Sequence, residues 1–167
     1  HSSVQDKSFH SVNQIDLVPT ISTLLGVPVP FANLGSVIQD LMPLMEGEKM
    51  FPLQLTTSLA LNAAQVWKYL TTYSERARLP SQQLDSLREK LELAADRFRF
   101  ALNEIGAADA SNSNSPEDSI ALREAGALFK AFLAEGTNLG REIWTTFNTG
   151  YMISGFVLLF IAISFGC

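Results

Sequence analysis

The chain has 167 residues, with 12 lysines and arginines against 17 aspartates and glutamates, which gives a formal net charge of -5. This length allows one ordinary domain with a sizeable core, and a mildly acidic chain without a basic cluster argues against nucleic-acid binding. Its one cysteine, Cys167, excludes an intrachain disulfide framework but leaves the redox compartment open.

The chain opens with polar residues 1–14, in which the letters HSVNQI at 10–15 predict a short extended entry. IDLVPTISTLLG at 15–26 then predicts a helix. Asp16 is expected to cap this helix by accepting a hydrogen bond from a backbone N–H one turn on. Pro19 then falls in the first turn, where its missing N–H costs nothing. Gly26 can end the helix in the left-handed conformation.

One side of this first helix is apolar. Its members are Leu17, Val18, Ile21, Leu24 and Leu25. A stretch this short rarely buries enough surface to fold by itself. We therefore expect the apolar side to pack against protein that precedes the chain. In the chain alone it should be exposed or collapse onto the helices of residues 56–135.

A proline-rich connection follows the first helix. The letters VPVPF predict a stiff, extended segment, because each proline also restricts the residue before it. Asn33 and Gly35 then indicate a turn that packs on the body of the protein. Residues 36–45 predict a short helix, and the polar letters EGEK at 46–49 predict a turn.

Two long helices are predicted next. The first covers residues 56–74, and its apolar stripe consists of Leu59, Ala63, Val66, Trp67, Leu70 and Tyr73. Leu79-Pro80 breaks the chain, and Ser81 can cap a second helix that continues to about Ile105. The apolar stripe of the second helix consists of Leu84, Leu87, Leu91, Ala94, Ala95, Phe98 and Leu102. Charged residues fill its other face.

A third helix is predicted after the small, polar stretch 106–115, which is typical of a flexible loop. Ser115 is its expected cap, Pro116 takes the first position, and two acids follow at the positive end of the helix dipole. The apolar residues of this helix are Ile120, Leu122, Leu128, Phe129, Phe132 and Leu133. Gly136 and Gly140 are expected to interrupt it.

The last residues, YMISGFVLLFIAISFGC at 151–167, contain 17 positions without a charge. A membrane-spanning helix needs about 20 apolar residues, so we expect the start of a transmembrane helix that is cut off within its span. A buried C-terminal helix is the alternative. Trp144, Phe147 and Tyr151 lead into the run, as interfacial aromatic residues do. Residues 56–149 are thus predicted to form three antiparallel helices that deliver the chain to a membrane.

The common catalytic, metal-binding and phosphate-binding sequence motifs are missing from the sequence. No Gly-x-Ser-x-Gly, Cys-x-x-Cys or His-Glu-x-x-His motif and no phosphate-binding glycine loop occurs. The only histidines are His1 and His10, and their nearest possible co-ligands are Asp6 and Asp16. Solvent-exposed histidines are favoured over a metal site, and Asp16 is favoured as a helix cap over a catalytic base.

An aromatic group at Trp67, Tyr69 and Tyr73 is the remaining candidate for a ligand site. Residues of this kind at helical spacing indicate packing in the core and on the surface more than a ligand cage. The sequence therefore assigns no catalytic, cofactor-binding or metal-binding residue within this chain.

The stretch FHSVNQIDLVPTISTLLGVPVPFANLG, residues 9–35, resembles the end of the lumenal catalytic domain of the GPI ethanolamine phosphate transferases. These enzymes belong to the alkaline-phosphatase-like superfamily, which ends its α/β domain with an Asp-hydrophobic-x-Pro-Thr helix, a leucine, a glycine and a proline. The matching residues are Asp16, Pro19, Thr20, Leu25, Gly26 and Pro28. The added Pro-hydrophobic-Pro-x-x-Asn-x-Gly, Pro28 to Gly35, is typical of the GPI transferases.

Further along, NAAQVWKYL at 62–70 and REIWTTF at 141–147 are most similar to the enzymes that act on the third mannose. The resemblance implies a mostly α fragment. Residues 1–50 would be the C-terminal end of an alkaline-phosphatase-like catalytic domain, 51–149 a helical linker region, and 150–167 a truncated transmembrane helix.

The family activity that this resemblance implies is transfer of phosphoethanolamine from phosphatidylethanolamine to a mannose of the GPI-anchor precursor. The nucleophilic threonine and the Asp-His-Gly-Met and His-Gly-Gly metal motifs of the family lie upstream, and none is in this chain. Two divalent metals, expected to be zinc, serve the full-length enzyme. The isolated chain is expected to lack transferase and phosphatase activity and to hold no tight zinc site.

The partners that the resemblance implies are the GPI precursor glycolipid, phosphatidylethanolamine, membrane lipid and a small membrane accessory subunit, without nucleic acid. The implied location is the endoplasmic reticulum membrane, with the residues before 150 in the lumen. Two alternatives stay open. One is a non-enzymatic, membrane-anchored helical adaptor, and the other is a transferase that acts on the first or second mannose.

Overall fold

The computed structural model describes residues 11–42, 50–77, 81–111, 116–145 and 149–165. These ranges hold five α-helices and one 3-10 turn and contain no strand. The helices are α1 (Gln14–Leu25), α2 (Met50–Ala77), α3 (Ser81–Ser111), α4 (Pro116–Thr145) and α5 (Thr149–Phe165), and the 3-10 turn is Gln39–Leu41. The mostly helical prediction is confirmed. The α/β origin of residues 1–50 and the domain limits stay predictions.

Helices α2, α3 and α4 form a bundle in which α4 packs along both α2 and α3. The predicted stripe of α2 supplies fully buried residues, and Phe132 and Leu133 of α4 meet them in the core. The buried members of the α2 stripe are Leu59, Ala63, Val66 and Leu70. The three predicted helices are therefore confirmed, and so are most positions of their apolar faces. Leu102 of α3 and Ile120 of α4 are exceptions, because they are 40% and 54% exposed.

Two of the long helices exceed their predicted limits. Helix α2 begins at Met50 rather than at residue 56, and α3 continues to Ser111. The prediction of a flexible loop is therefore wrong for residues 106–111. Three alanines lie in this stretch, and alanine has the highest intrinsic helix propensity. Residues 112–115 of that loop, including the expected cap Ser115, lie outside the described residues.

Helix α4 runs without a break through its glycines, so the predicted interruption at Gly136 and Gly140 is wrong. A Cβ atom on Gly136 would lie 3.2 Å from Cγ1 of Val66, and one on Gly140 would meet the side chain of Leu34. The two glycines therefore allow neighbouring chain segments to approach α4 closely, and they do not end it.

The predicted helix over 36–45 is also wrong for its described part, which contains only the 3-10 turn Gln39–Leu41. The backbone N–H of Val37 donates to the side chain of Asn62, and that of Ile38 donates to Thr20. Ile38 before this turn and Met42 after it have extended backbone torsion angles, so the described part of the segment does not continue as an α-helix. The predicted turn at 46–49 lies outside the ranges that the structure describes.

Helix α1 ends as predicted. Gly26 adopts the left-handed conformation with φ of 66°, and its N–H donates to the carbonyl oxygen of Thr23 at 3.2 Å. The start differs from the prediction, because Asn13 occupies the N-cap position and Asp16 lies in the first turn. Pro19 lies inside the helix, not in its first turn.

The apolar side of α1 faces away from the bundle. Ile21 is 52% exposed and Leu25 is 70% exposed, while Pro19, Thr20 and Ser22 on the other side are buried. The expectation that this apolar side is exposed in the chain alone is therefore confirmed. The small and polar side of the helix instead faces residues 33–38, which hydrogen-bond to Ile15, Asp16 and Thr20.

Helix α5 lies apart from this packing. Every side chain from Met152 to Ser164 is exposed, including Leu158 and Phe160 at 66% and 68%. Within the ranges that the structure describes, none of the helices combines the length and the apolar character needed to cross a membrane.

Candidate functional site

The metal-site candidates of the sequence are not brought together. His1, Asp6 and His10 lie outside the described residues. The part of the chain that is described contains no group of three or more His, Cys, Asp or Glu residues that could hold a metal ion.

The aromatic candidates lie in two separate packing contacts. Tyr69 and Tyr73 stack with ring centroids 5.6 Å apart, and Phe31 meets Tyr69 edge-on at 5.5 Å. Trp67 instead packs edge-on against Phe132, with ring centroids 6.4 Å apart. Because the three predicted residues pack against other rings in two separate contacts, the structure favours the packing interpretation.

Residues 31–38, here called the docking segment, join α1 to the bundle through hydrogen bonds on both sides. On the α1 side, Ser36 donates its backbone N–H to Oδ1 of Asp16 at 2.8 Å. The N–H of Ile38 donates to Oγ1 of Thr20 at 2.9 Å. The prediction of Asp16 as a helix cap is therefore wrong, because its carboxylate bonds a segment that follows 20 residues later.

Pro19 creates the central contact of this junction. Proline has no N–H, so the carbonyl of Ile15, four residues earlier, has no helical donor. Nδ2 of Asn33 donates to that carbonyl oxygen at 3.2 Å, and Oδ1 of Asn33 accepts the N–H of Gly35 at 2.8 Å. A Cβ atom on Gly35 would collide with the same carbonyl of Ile15. Pro19, Asn33 and Gly35 therefore all meet at one group, the backbone carbonyl of Ile15: Pro19 frees it, Asn33 bonds it, and Gly35 leaves room for it.

Helix α2 holds the other side of the docking segment. Nε2 of Gln65 donates to the carbonyl oxygens of Phe31 at 2.7 Å and of Asn33 at 2.9 Å. Oδ1 of Asn62, a residue that is only 1% exposed, accepts the N–H of Val37 at 3.2 Å. A buried backbone N–H needs such a partner, so Asn62 compensates for the burial of Val37.

Helix α4 anchors the middle of the segment. Leu34 is 4% exposed and lies in the core beside Gly140, where a side chain would collide with it. Oγ1 of Thr137 donates to the carbonyl oxygen of Leu34 at 2.5 Å. Helices α1, α2 and α4 therefore all contribute side chains that fix one short backbone segment.

The sequence indicated only part of this junction. Asn33 and Gly35 were expected in a packed turn, but Asn62, Gln65 and Thr137 were missed. A signal for Asn62 existed, because it interrupts the apolar stripe of α2 at a position that faces the core. No local pattern marks Gln65 or Thr137, whose partners lie 32 and 103 residues away.

We expect Asn33→Ala to lower the free energy of unfolding by about 2 kcal/mol. The change leaves the carbonyl of Ile15 and the N–H of Gly35 without their partner, and an unsatisfied buried group costs about 1–3 kcal/mol. Urea denaturation followed by circular dichroism measures the loss. Asn103→Ala on the exposed face of α3 is the control and should cause no loss. Equal stability of the two variants would contradict the role of Asn33.

A polar cleft of about 420 Å³ lies beside the docking segment, between α1 and α4. Both signs of charge line it, with Asp16 and Asp40 on one wall and Lys130 and Arg141 on the other. Burial lowers the pKa of the Lys130 ammonium, and the nearby Asp40 carboxylate, which acts to raise that pKa, does not cancel the effect of burial.

Comparison with known proteins gives relatives among the GPI ethanolamine phosphate transferases. The chain is 31% identical over 153 residues, 89% of its length, to GPI ethanolamine phosphate transferase 3, catalytic subunit, of Homo sapiens. It is 30% identical over 156 residues, 90% of its length, to GPI ethanolamine phosphate transferase 3 of Schizosaccharomyces pombe. It is 52% identical over 42 residues, 25% of its length, to GPI ethanolamine phosphate transferase 2 of Debaryomyces hansenii, of which it covers 5%.

The chain spans about 13% of the length of the human and S. pombe relatives. No protein-family model and no solved structure matches it. The resemblance read from residues 9–35 is confirmed to the extent that its relatives are GPI ethanolamine phosphate transferases of types 3 and 2.

Proposed function

We propose that this chain is part of a membrane-bound transferase that moves phosphoethanolamine from phosphatidylethanolamine to the third mannose of the GPI-anchor precursor. The observation that carries the proposal is the similarity to type 3 enzymes along 89% of the chain. Action on the second mannose is the second candidate, because type 2 enzymes are also among the relatives, one of them with 52% identity over 42 residues.

Within that enzyme, the chain would connect the catalytic domain to the membrane. The docking segment fixes α1 to the bundle, while the exposed apolar side of α1 is the surface that the catalytic domain would cover. Helix α5 offers apolar side chains on all sides and carries no charge, which suits contact with lipid. We propose that it enters the endoplasmic reticulum membrane and that the preceding residues face the lumen.

Zinc does not fit the part of this chain that the structure describes, because no cluster of candidate ligands occurs there. We propose that residues outside this chain hold the metal ions of the complete enzyme. No step of the reaction is assigned to a residue of this chain. The GPI precursor, phosphatidylethanolamine and a small membrane accessory subunit are the proposed partners of the complete protein.

The test of the proposed function uses the complete protein that contains this chain, expressed in cells that lack their type 3 transferase. Mass spectrometry of the GPI precursors should show ethanolamine phosphate restored on the third mannose. Ethanolamine phosphate on the second mannose alone would favour the second candidate. Absence from every mannose, with the protein present in the membrane, would overturn both.

The lumenal location has a separate reporter. The sequence contains no Asn-x-Ser/Thr acceptor, and Asn114→Thr creates one at Asn112, between α3 and α4. In the complete protein we expect this variant to gain one glycan, seen as a glycosidase-sensitive shift on a gel. Adding Asn112→Gln should remove the shift. If Asn112 stays without a glycan while a control acceptor site in an established lumenal loop of the same protein is glycosylated, this part of the chain lies in the cytosol.

A further inference from the structure

The cleft beside the docking segment has two walls of different charge. On α4, residues spaced three or four apart share one face and form the basic wall. These residues are Lys130, Ala134, Thr137, Asn138 and Arg141. The facing wall, formed by the start of α1 and by residues 36–40, carries Asp16 and Asp40. Opposite charges thus lie on opposite sides of a space of about 420 Å³.

The two carboxylates of the acidic wall differ in their bonding. Oδ1 of Asp16 accepts the N–H of Ser36 at 2.8 Å, and Oδ2 accepts Nδ2 of Asn13 at 3.3 Å. Both oxygens of the Asp16 carboxylate are therefore already used in hydrogen bonds within the junction of α1 and the docking segment. Asp40 lies at the exposed end of the wall, beyond the docking segment, where a ligand can reach its carboxylate.

On the basic wall, Lys130 is the half-buried cation. It makes no hydrogen bond or ion pair to any residue that the structure describes. The pKa of Lys130 is lowered because burial disfavours the charged ammonium by more than the nearby Asp40 carboxylate favours it. A charged group that is partly removed from water without a partner gains from binding an anion.

We propose that this cleft binds a small zwitterion in which a phosphate group and a primary ammonium are separated by a short chain. The phosphate would lie against Lys130, in the positive field of the α4 wall, and the ammonium would lie against Asp40. A simple anion would leave the acidic wall unpaired, and a simple cation would leave Lys130 unpaired. The volume lies within the 300–1,000 Å³ range typical of small-molecule pockets.

The zwitterion has two possible sources, a soluble phosphoester or the head group of a phospholipid. The choice of phosphoethanolamine as probe rests on the proposed function, while the arrangement of charges does not. A transfer assay of the complete protein and a binding assay of the 167-residue chain are separate measurements. Transfer with no binding by this chain would overturn the cleft proposal alone.

The binding test titrates the 167-residue chain, in an uncharged maltoside detergent, with phosphoethanolamine, inorganic phosphate and ethanolamine by calorimetry. We expect phosphoethanolamine to bind at least tenfold more tightly than either half. Lys130→Met should weaken its binding at least tenfold, and Lys130→Arg should retain it. Lys68→Met on the exposed face of α2 is the matched control and should bind like the parent.

The substitution at Lys130 is not expected to unfold the protein. Because folding lowers the pKa of Lys130, the folded state disfavours the charged ammonium at neutral pH. This destabilisation is lost as the pH rises from the lowered pKa to the ordinary lysine value. Lys130→Met should therefore melt at the parent temperature or above it. Binding by this folded variant at the parent affinity would overturn the proposal.

The acidic wall and the source of the ligand are tested by the same titration. Asp40→Asn should weaken phosphoethanolamine at least tenfold and leave inorganic phosphate unchanged. Displacement of phosphoethanolamine by nanodiscs of phosphatidylethanolamine, but not by those of phosphatidylglycerol, would assign the site to the lipid head group. Binding without displacement would assign it to the soluble phosphoester. Equal affinity of phosphate and phosphoethanolamine would overturn the zwitterion assignment.

Discussion

Gly35→Ala is expected to lower the free energy of unfolding by about 3 kcal/mol, the upper end of the usual cost of overpacking. The added Cβ would collide with the backbone carbonyl of Ile15, which cannot rotate away as a flexible side chain can. Relief requires the docking segment to leave α1, and that breaks the hydrogen bonds from Asn33 to Ile15 and from Ser36 to Asp16. Urea denaturation followed by circular dichroism measures the loss.

The matched control for this substitution is Gly106→Ala in α3. Apart from the neighbouring backbone of α3 itself, no atom lies within 4 Å of a Cβ built at Gly106, and alanine is favoured over glycine inside a helix by about 1 kcal/mol. The same substitution should therefore stabilise the chain at Gly106 and destabilise it at Gly35. A change of the same sign at both positions would contradict the close approach of Gly35 to α1.

Phe132→Ala is expected to cost about 3–5 kcal/mol, the range for removal of a fully buried aromatic side chain. Phe132 is 0% exposed, lies in the core between α2 and α4, and packs edge-on against Trp67. Its removal leaves a cavity that neighbouring side chains fill only in part. A loss of this size should lower the midpoint of thermal unfolding by several degrees.

Phe100→Ala is the control for the core substitution. Phe100 is 49% exposed, and its one described ring contact is with the guanidinium of Arg97, 5.6 Å from the ring centroid. An exposed contact of this kind contributes about 0.5–1 kcal/mol. A loss at Phe132 no larger than the loss at Phe100 would show that α4 does not pack in the core as the structure describes.

Features that depend on near neighbours were predicted from the sequence. The end of α1 at Gly26 follows from the freedom of glycine to adopt positive φ. The start of α4 at Pro116 follows from the fit of proline to the first helical position. The buried stripe of α2 follows from the 3.6-residue period of the helix. Each of these signals lies within a few residues of the feature that it determines.

The junction depended on residues that are distant in sequence, and local reasoning assigned several of them wrongly. Asp16 carries a typical capping side chain, yet its carboxylate bonds Ser36, 20 residues later. Pro19 was placed in the first turn because an interior proline loses a hydrogen bond. Asn33, which follows Ile15 by 18 residues, offsets that loss by donating to the freed carbonyl of Ile15.

The sequence by itself determined the helical class, the apolar stripes and the similarity to one kind of transferase, because these depend on residue type and short spacing. The tertiary structure alone decided that α1 turns its polar side to the docking segment and that Gly136 and Gly140 continue a helix. It also decided that Lys130 faces Asp40 across a cleft. The physical reason is that backbone donors and acceptors must be satisfied wherever the fold buries them. For residues 31–38 the partners come from three helices, up to 103 residues away.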